Sequence, residues 1–459
     1  VADTRRHALA ICLTAAFMAG LDVSIVNVAL PSIREGLPAA SDAGLQWILS
    51  GYALTFGLML VPAGRLGDAR SRRTVFLWGV SLFTLASAAC GLALTMPVLI
   101  VSRLLQGLAA GMINPQVSGL IQQMFRGAER GRAFGALGAT IGVSTAAGPL
   151  IGGALVSAFG VEHGWRLVFL VNVPIGLVLV PLAHKVLPPP EPAPGSRRQS
   201  MDPVGVLLLG VGVAVFLLPF IQREHGPGGA TWLLIPVSLA VLAGFVAWER
   251  RYRGEPVVDL TLFRLRSYGL GTAIAMFYFA GFTGIFFIFT LYLQTGLGYS
   301  PLQAGAAISP FAVGSAGAAL VGGHLVSRAG RRVVVAGLVT VIIGLLATMA
   351  ATVLVPGPHV ALATALPLLV AGIGSGLTIA PNQAVTLSQV PPAGGGSAAG
   401  VLQTGQRLGS SIGIAAAGSL FFTALGQGWP VAFRHGLLAV VGFVCVALAA
   451  ALYDMLRRS

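Results

Sequence analysis

Apolar stretches long enough to cross a bilayer recur along the whole chain, and they constrain its fold more than any other feature. The first, residues 8–30, is 23 residues long and spans roughly 34 Å as a helix, against a hydrocarbon core of about 30 Å. Thirteen more are expected at about 44–66, 74–94, 98–121, 131–158, 165–185, 204–221, 231–249, 268–293, 302–327, 333–355, 360–381, 398–425 and 436–456. The chain is 56% hydrophobic and 9% charged, with a mean hydropathy of +0.86. That balance does not suit a soluble domain and is ordinary for a polytopic helical membrane protein. The 62 glycines fit as well, since small residues let membrane helices approach closely. The expected fold class is all-α, with fourteen transmembrane helices.

The net charge of +14 is not one basic patch. Of the 28 basic residues all but Lys185 are arginine, and 22 fall in alternate connections, on one side of the membrane. They are Arg5 and Arg6; Arg65, Arg70, Arg72 and Arg73; Arg126, Arg130 and Arg132; Lys185, Arg197 and Arg198; Arg250, Arg251, Arg253, Arg264 and Arg266; Arg328, Arg331 and Arg332; Arg457 and Arg458. Only Arg34, Arg166, Arg223 and Arg434 fall on the other side. The positive-inside rule then puts both termini in the cytoplasm and argues against nucleic acid as a partner. Although Arg5 and Arg6 precede an apolar run, that run is too long for a secretory signal, contains Asp22 and lacks a convincing cleavage site. Cys12, Cys90 and Cys445 sit inside apolar spans at no ligand-like spacing, so neither a disulfide nor a metal site is expected.

Residues 186–203 hold six prolines, two arginines and a Gly-Ser step, which reads as an exposed, partly extended cytoplasmic linker. It separates a six-helix bundle at 1–185 from two extra helices at 204–250, and a second six-helix bundle follows at 251–459. The two sixes look related. Gly64-Arg-Leu-Gly-Asp68-Ala-Arg-Ser-Arg72-Arg73 and Gly323-His-Leu-Val-Ser327-Arg-Ala-Gly-Arg331-Arg332 place Gly, Leu and Arg-Arg at one spacing, 259 residues apart. In the second copy the acid is lost. Transporters built from such repeats bind substrate near mid-membrane at the repeat interface and work by alternating access.

Asp22 lies well inside the first span, where a carboxylate is expensive and usually marks an ion path or a partner. Of the fourteen acids, it alone is placed deep in the membrane on this topology. Arg103 is set at a similar depth by arithmetic: Asp22 lies roughly 21 Å from the inner end of its helix and Arg103 roughly 8 Å from the outer end of the fourth. A direct or water-bridged contact between them is feasible, and so is an arginine that snorkels outward. An adjacent arginine favours an ionised carboxylate and burial a protonated one, so access or substrate occupancy can tip the balance.

Four motifs then carry a family likeness. Leu21-Asp22-Val-Ser-Ile-Val-Asn27-Val-Ala-Leu-Pro31, the Asp68 turn, Arg103-Leu-Leu-Gln106-Gly107 and Gly148-Pro149-Leu-Ile-Gly152-Gly153 resemble signatures of the major facilitator superfamily. With two extra central spans, the chain resembles its fourteen-helix drug:proton antiporter branch, over essentially its whole length, including 165–176 and 291–310. The resemblance implies the major facilitator fold and a conformational latch at Gly64, Asp68, Arg72 and Arg73. It also implies an antiporter motif in the fifth helix, with Gly142, Gly148, Pro149, Gly152 and Gly153. Read from the residues alone, a carboxylate among arginines can bridge helix ends by charge-assisted hydrogen bonds or lie in a solvated loop. The smooth face of Gly138, Gly142, Ala146, Pro149 and Gly153 serves close packing in either case.

Aromatic, amide and basic side chains that can line a permissive pocket are Asn27, Trp47, Tyr52, Gln106, Asn114, Phe277, Tyr278, Tyr292, Asn382, Gln403 and Arg407. The expected function is proton-driven export of a lipophilic monovalent cation or neutral amphiphile, one proton per cycle bound at Asp22 and no cofactor beyond the proton gradient. The chain is then a bacterial cell-membrane protein, monomeric, surrounded by lipid and not an enzyme. A dedicated exporter of one metabolite or antibiotic is the alternative, and an importer shares the fold. A nucleotide-driven pump is argued against because Lys185 is followed by Val186, which leaves no Gly-Lys-Ser/Thr phosphate loop.

Overall fold

The computed structural model describes residues 2–37, 41–189, 202–221, 232–252, 254, 256–355, 357 and 359–457. Most of the expected linker, with Arg197 and Arg198, lies outside the described residues, as do Arg223, Arg253 and Arg458. In chain order the helices are α1 (Ala2–Gly36), α2 (Asp42–Ala69), α3 (Arg72–Gly91), α4 (Met96–Met124), α5 (Gly127–Leu170), α6 (Asn172–Val186) and α7 (Pro203–Ile221). After them come α8 (Leu234–Arg251), α9 (Arg266–Leu291), α10 (Pro301–Ala329), α11 (Arg331–Leu354), α12 (Val360–Thr386), α13 (Gly395–Ala424) and α14 (Trp429–Leu456).

Among the described residues eleven helical stretches are long and apolar enough to cross a membrane. This is fewer than the fourteen expected. One stretch, Gly127–Val186, is 60 residues long, enough for two crossings at about 1.5 Å per residue, and it breaks at Gly160, whose φ is 73°. The expected fifth and sixth spans therefore meet in one run. Pro203–Pro219 is a shorter apolar helix. Large apolar side chains point outward throughout: Leu94, Leu354 and Leu362 are 75–79% exposed. Water does not tolerate such a surface on a monomeric soluble protein, whereas lipid does.

Helix ends follow local chemistry. Ser41 caps α2 by accepting from Gly44 N, and Ser71 caps α3 by accepting from Thr74 N. Arg70 and Ser71 alone separate these two helices. The expected end of the first helix at Pro31 is corrected: α1 continues through Pro31 to Gly36. Proline lacks one donor, but the turns on either side keep theirs, so near a helix end it bends the helix more readily than it stops it.

The contacts sort into two compact units. The first comprises Val1–Met124, Ile151–Leu262 and Val390–Thr404, the second Phe125–Leu150, Phe263–Gln389 and Gly405–Ser459. Each of α5 and α13 is thus shared, its first part in one unit and its second in the other. In the first unit the α7–α8 pair is tied at its foot. Asp202 accepts from Val204 N at 3.1 Å and from Trp248 Nε1 at 2.7 Å, while Glu249 accepts from Val257 N at 3.0 Å. Phe245, Val257 and Val258 then pack on Val61 of α2. In the second unit the core is aliphatic and aromatic, with Phe289, Phe311, Phe421 and Phe433 among its buried members.

Candidate functional site

The densest polar cluster in the first unit surrounds Asp22, which is 0% exposed. α1 brings the carboxylate, and α4 brings Arg103 and Gln106, whose three-residue spacing puts both on one face. Arg103 Nη1 donates to Asp22 Oδ2 at 2.6 Å and to Gln106 Oε1 at 2.7 Å. Gln106 Nε2 in turn donates to Asp22 Oδ1 at 2.8 Å and to Ser87 Oγ of α3 at 2.6 Å. From α6, Asn172 Nδ2 reaches Asp22 Oδ1 at 3.2 Å. The guanidinium is fixed from its other side by the Ile48 carbonyl, which accepts from Nε at 3.1 Å, and by the Tyr52 ring, 4.2 Å away. Arg103 is 1% exposed, so it does not snorkel. A buried ion pair persists only where its remaining donors and acceptors are met, and here Arg103, Gln106 and Asn172 donate to both oxygens of Asp22. Protonating Asp22 would remove one charge from the pair and leave Arg103 to its neutral partners on α2 and α4.

A second constellation lies at the α2–α3 turn. Asp68 Oδ1 accepts from Arg72 Nη2 at 2.6 Å and from Gly396 N at 3.0 Å, and Asp68 Oδ2 accepts from Ser397 N at 2.7 Å. The carboxylate thus sits on the first backbone N–H groups of α13, where unpaired donors and the helix dipole favour an anion. Arg72 also donates to Gly119 O at 2.9 Å and to the Pro392 carbonyl. At Gly64, a Cβ would lie 2.3 Å from Gly396 O, so only glycine lets α2 come this close. Arg73 is not part of this arrangement: it donates to the His184 carbonyl.

The copy in the second unit replaces its missing acid. Arg331 stands where Arg72 stands in the first repeat, and its Nε donates to Asp454 Oδ2 of α14 at 2.8 Å. Arg331 also bonds Asn382 Oδ1, and Arg266 lies 3.6 Å from Asp454 Oδ1. Asn382 is therefore a partner of the turn arginine.

The fifth-helix glycines divide between the units. A Cβ at Gly138 would lie 2.9 Å from Ala380 Cβ, one at Gly142 3.3 Å from Ala316, and Gly305 approaches Pro149; all of these are in the second unit. Gly152 meets Ile25 in the first, where a Cβ would lie 2.9 Å from Cγ1. Gly148 is buried and Gly153 half-buried.

Within the first unit the pocket candidates sit at several places. Gln106 and Tyr52 belong to the Asp22 cluster. Trp47 lines a separate depression of about 660 Å³ with Ser41, Met96 and Pro97. Asn27 is exposed and donates to Val23 O at 3.4 Å, and Asn114 bonds Ala110 O of its own helix at 3.1 Å. Gln403 donates to Ser118 Oγ at 3.3 Å. In the second unit Arg407 is half-buried, Tyr292 stacks on Phe433 at 5.0 Å, Tyr278 is buried in the core and Phe277 packs against it. Sequence reasoning missed Asn172 and Ser87. The available signal was the lone amide of Asn172 in an otherwise apolar span, the same signal that singled out Asp22.

A model described as Major Facilitator Superfamily matches residues 12–414 and, in a second placement, 271–458. A probable actinorhodin transporter of Streptomyces coelicolor is 38% identical over 439 residues, covering 92% of this chain and 73% of that protein. The multidrug resistance protein Stp of Mycobacterium tuberculosis is 35% identical over 408 residues, covering 88% of this chain and 73% of its own length. Among solved structures, the human organic anion transporter MFSD10 superimposes with a TM-score of 0.69 at 16% identity, covering 97% of this chain and 99% of that one. This last likeness is one of fold.

Proposed function

Because the chain belongs to the major facilitator superfamily, we propose that it is a proton-driven antiporter of the fourteen-helix drug:proton branch. In this reading it exports lipophilic monovalent cations or neutral amphiphiles by alternating access. The observation that carries the reading is the carboxylate of Asp22, buried and held by Arg103, Gln106 and Asn172. Proton uptake at Asp22 frees Arg103 from its charged partner, and substrate entry favours proton loss. One proton against one monocation is electroneutral. The turn at Asp68 acts as a latch, with α13 released when its first N–H groups leave the carboxylate. The six-two-six layout, with both termini cytoplasmic and a monomer in the membrane, belongs to the same reading.

The likeness to an actinorhodin transporter favours one second reading, a dedicated exporter of a single endogenous metabolite or antibiotic through the same coupling centre. Inside-out vesicles test the proposal. An acid-inside pH gradient is expected to drive uptake of a lipophilic dye by wild type and not by D22N. Gradient-driven movement in the opposite direction overturns export, and equal uptake by D22N overturns the role of Asp22. A panel including aromatic polyketides separates the broad exporter from the dedicated one.

A further inference from the structure

A groove of about 560 Å³ opens on the outer surface between α1 and α6, away from the Asp22 cluster. α1 contributes His7, Ala10 and Thr14, and α6 contributes Ile175, Val178 and Leu182. These are stripes at three- and four-residue spacing, so the groove runs along both helices. From Pro174 to Val186 it follows thirteen residues of α6, roughly 18 Å, close to the depth of one leaflet in a core of about 30 Å. Its walls are apolar apart from Thr14 and His7, and His7 lies at the end where α1 begins and α6 finishes.

That end is basic. Arg6 is one turn beyond Ala10 on the same stripe, and Lys185 continues the stripe of Val178 and Leu182. Both are exposed. Among the described residues neither takes part in an ion pair. The acid on this end of α1, Asp3, stands a further turn outward. An apolar channel one leaflet deep with a cationic mouth matches one chemistry: an acyl chain joined to an anionic head group. A lipophilic cation fits the walls but is repelled at the mouth.

We propose that this groove is a binding site for an anionic phospholipid, with one acyl chain between α1 and α6 and the phosphate at Arg6, His7 and Lys185. The lipid then rests on the two helices that meet at Asp22 through Asn172.

Native mass spectrometry of the delipidated full chain tests this, with phosphatidylglycerol and phosphatidylcholine of equal chain length offered at equal concentration. Retention of phosphatidylglycerol over phosphatidylcholine is expected to be about fivefold for each contributing basic residue. The preference should be lost in R6Q/K185Q, and lipid retention should fall in A10F, whose ring fills the groove. Equal retention of both lipids by wild type overturns the proposal. So does a preference that survives R6Q/K185Q. Loss in R6Q/K185Q with A10F unaffected puts the lipid on the basic surface rather than in the groove, and also overturns it. Displacement of phosphatidylglycerol by equimolar glycerol phosphate shows a site for free phosphate, and counts against it equally.

Discussion

Asn172 Nδ2 donates to Asp22 Oδ1 at 3.2 Å across 150 residues of sequence, so that the sixth helical segment fixes the orientation of the carboxylate on the first. The bond leaves Oδ2 to Arg103 alone. Asn172→Leu keeps the volume and removes the donor, at a cost of about 1–3 kcal/mol for a hydrogen bond to a charged group. The melting temperature in detergent should fall by several degrees and gradient-driven transport should drop. Asn172→Gln should recover part of the transport.

Arg103 and Asp22 form one unit, which a double-mutant cycle can measure. Arg103→Leu strands a buried carboxylate and should destabilise the fold by about 3–5 kcal/mol, as breaking one side of a buried pair does. D22N/R103L should be more stable than R103L alone, because both charges are then gone. Simple additivity of the two single effects contradicts the pairing.

The latch makes a separate demand. Asp68→Asn keeps the shape of the side chain but leaves Arg72 without its anionic partner and weakens the bonds from Gly396 N and Ser397 N. Each 1.4 kcal/mol lost from such a contact shifts a conformational equilibrium about tenfold, and charge-assisted bonds are of about that size. Transport by D68N in vesicles should fall about tenfold or more with the protein still folded and inserted. Gly64→Val should do at least as much harm, since its Cβ meets the Gly396 carbonyl.

In the second unit the acid has moved from the turn to α14. Asp454→Asn leaves Arg331 and Arg266 sharing no carboxylate, so thermal stability should fall. Ser327 stands four residues before Arg331, as Asp68 does before Arg72, so S327D in the D454N background should restore part of the loss. Failure of S327D to raise the melting temperature in that background counts against the equivalence of the two turns.

Much of this architecture was legible because the bilayer imposes it. Runs of apolar residues long enough to cross it have to be helices, because every backbone polar group must be satisfied internally. A carboxylate in such a run has few ways to be satisfied, and depth along two straight helices was enough to bring Arg103 level with Asp22. Asn172 was less visible because an amide carries no charge cost and can bond its own backbone, as Asn114 and Asn27 do. Trp47, Tyr292 and Phe277 are hard to read from sequence for a different reason: an aromatic ring packs equally well in a core, in a depression or in a binding pocket. Composition also hid the shared helices. Nothing in the glycines of α5 says that Gly142 meets Ala316 while Gly152 meets Ile25, because small residues look alike whichever helix they face.

The central claim is that Asp22 carries the coupled proton, and substrate-triggered proton release from purified protein addresses it most directly. A panel of lipophilic monocations, neutral amphiphiles and aromatic polyketides would be added to wild type and to D22N in weakly buffered detergent solution. The account predicts about one proton released per wild-type molecule on binding, none from D22N, and binding by D22N retained for neutral ligands. Equal release from both proteins would contradict it and place the coupled proton on another group.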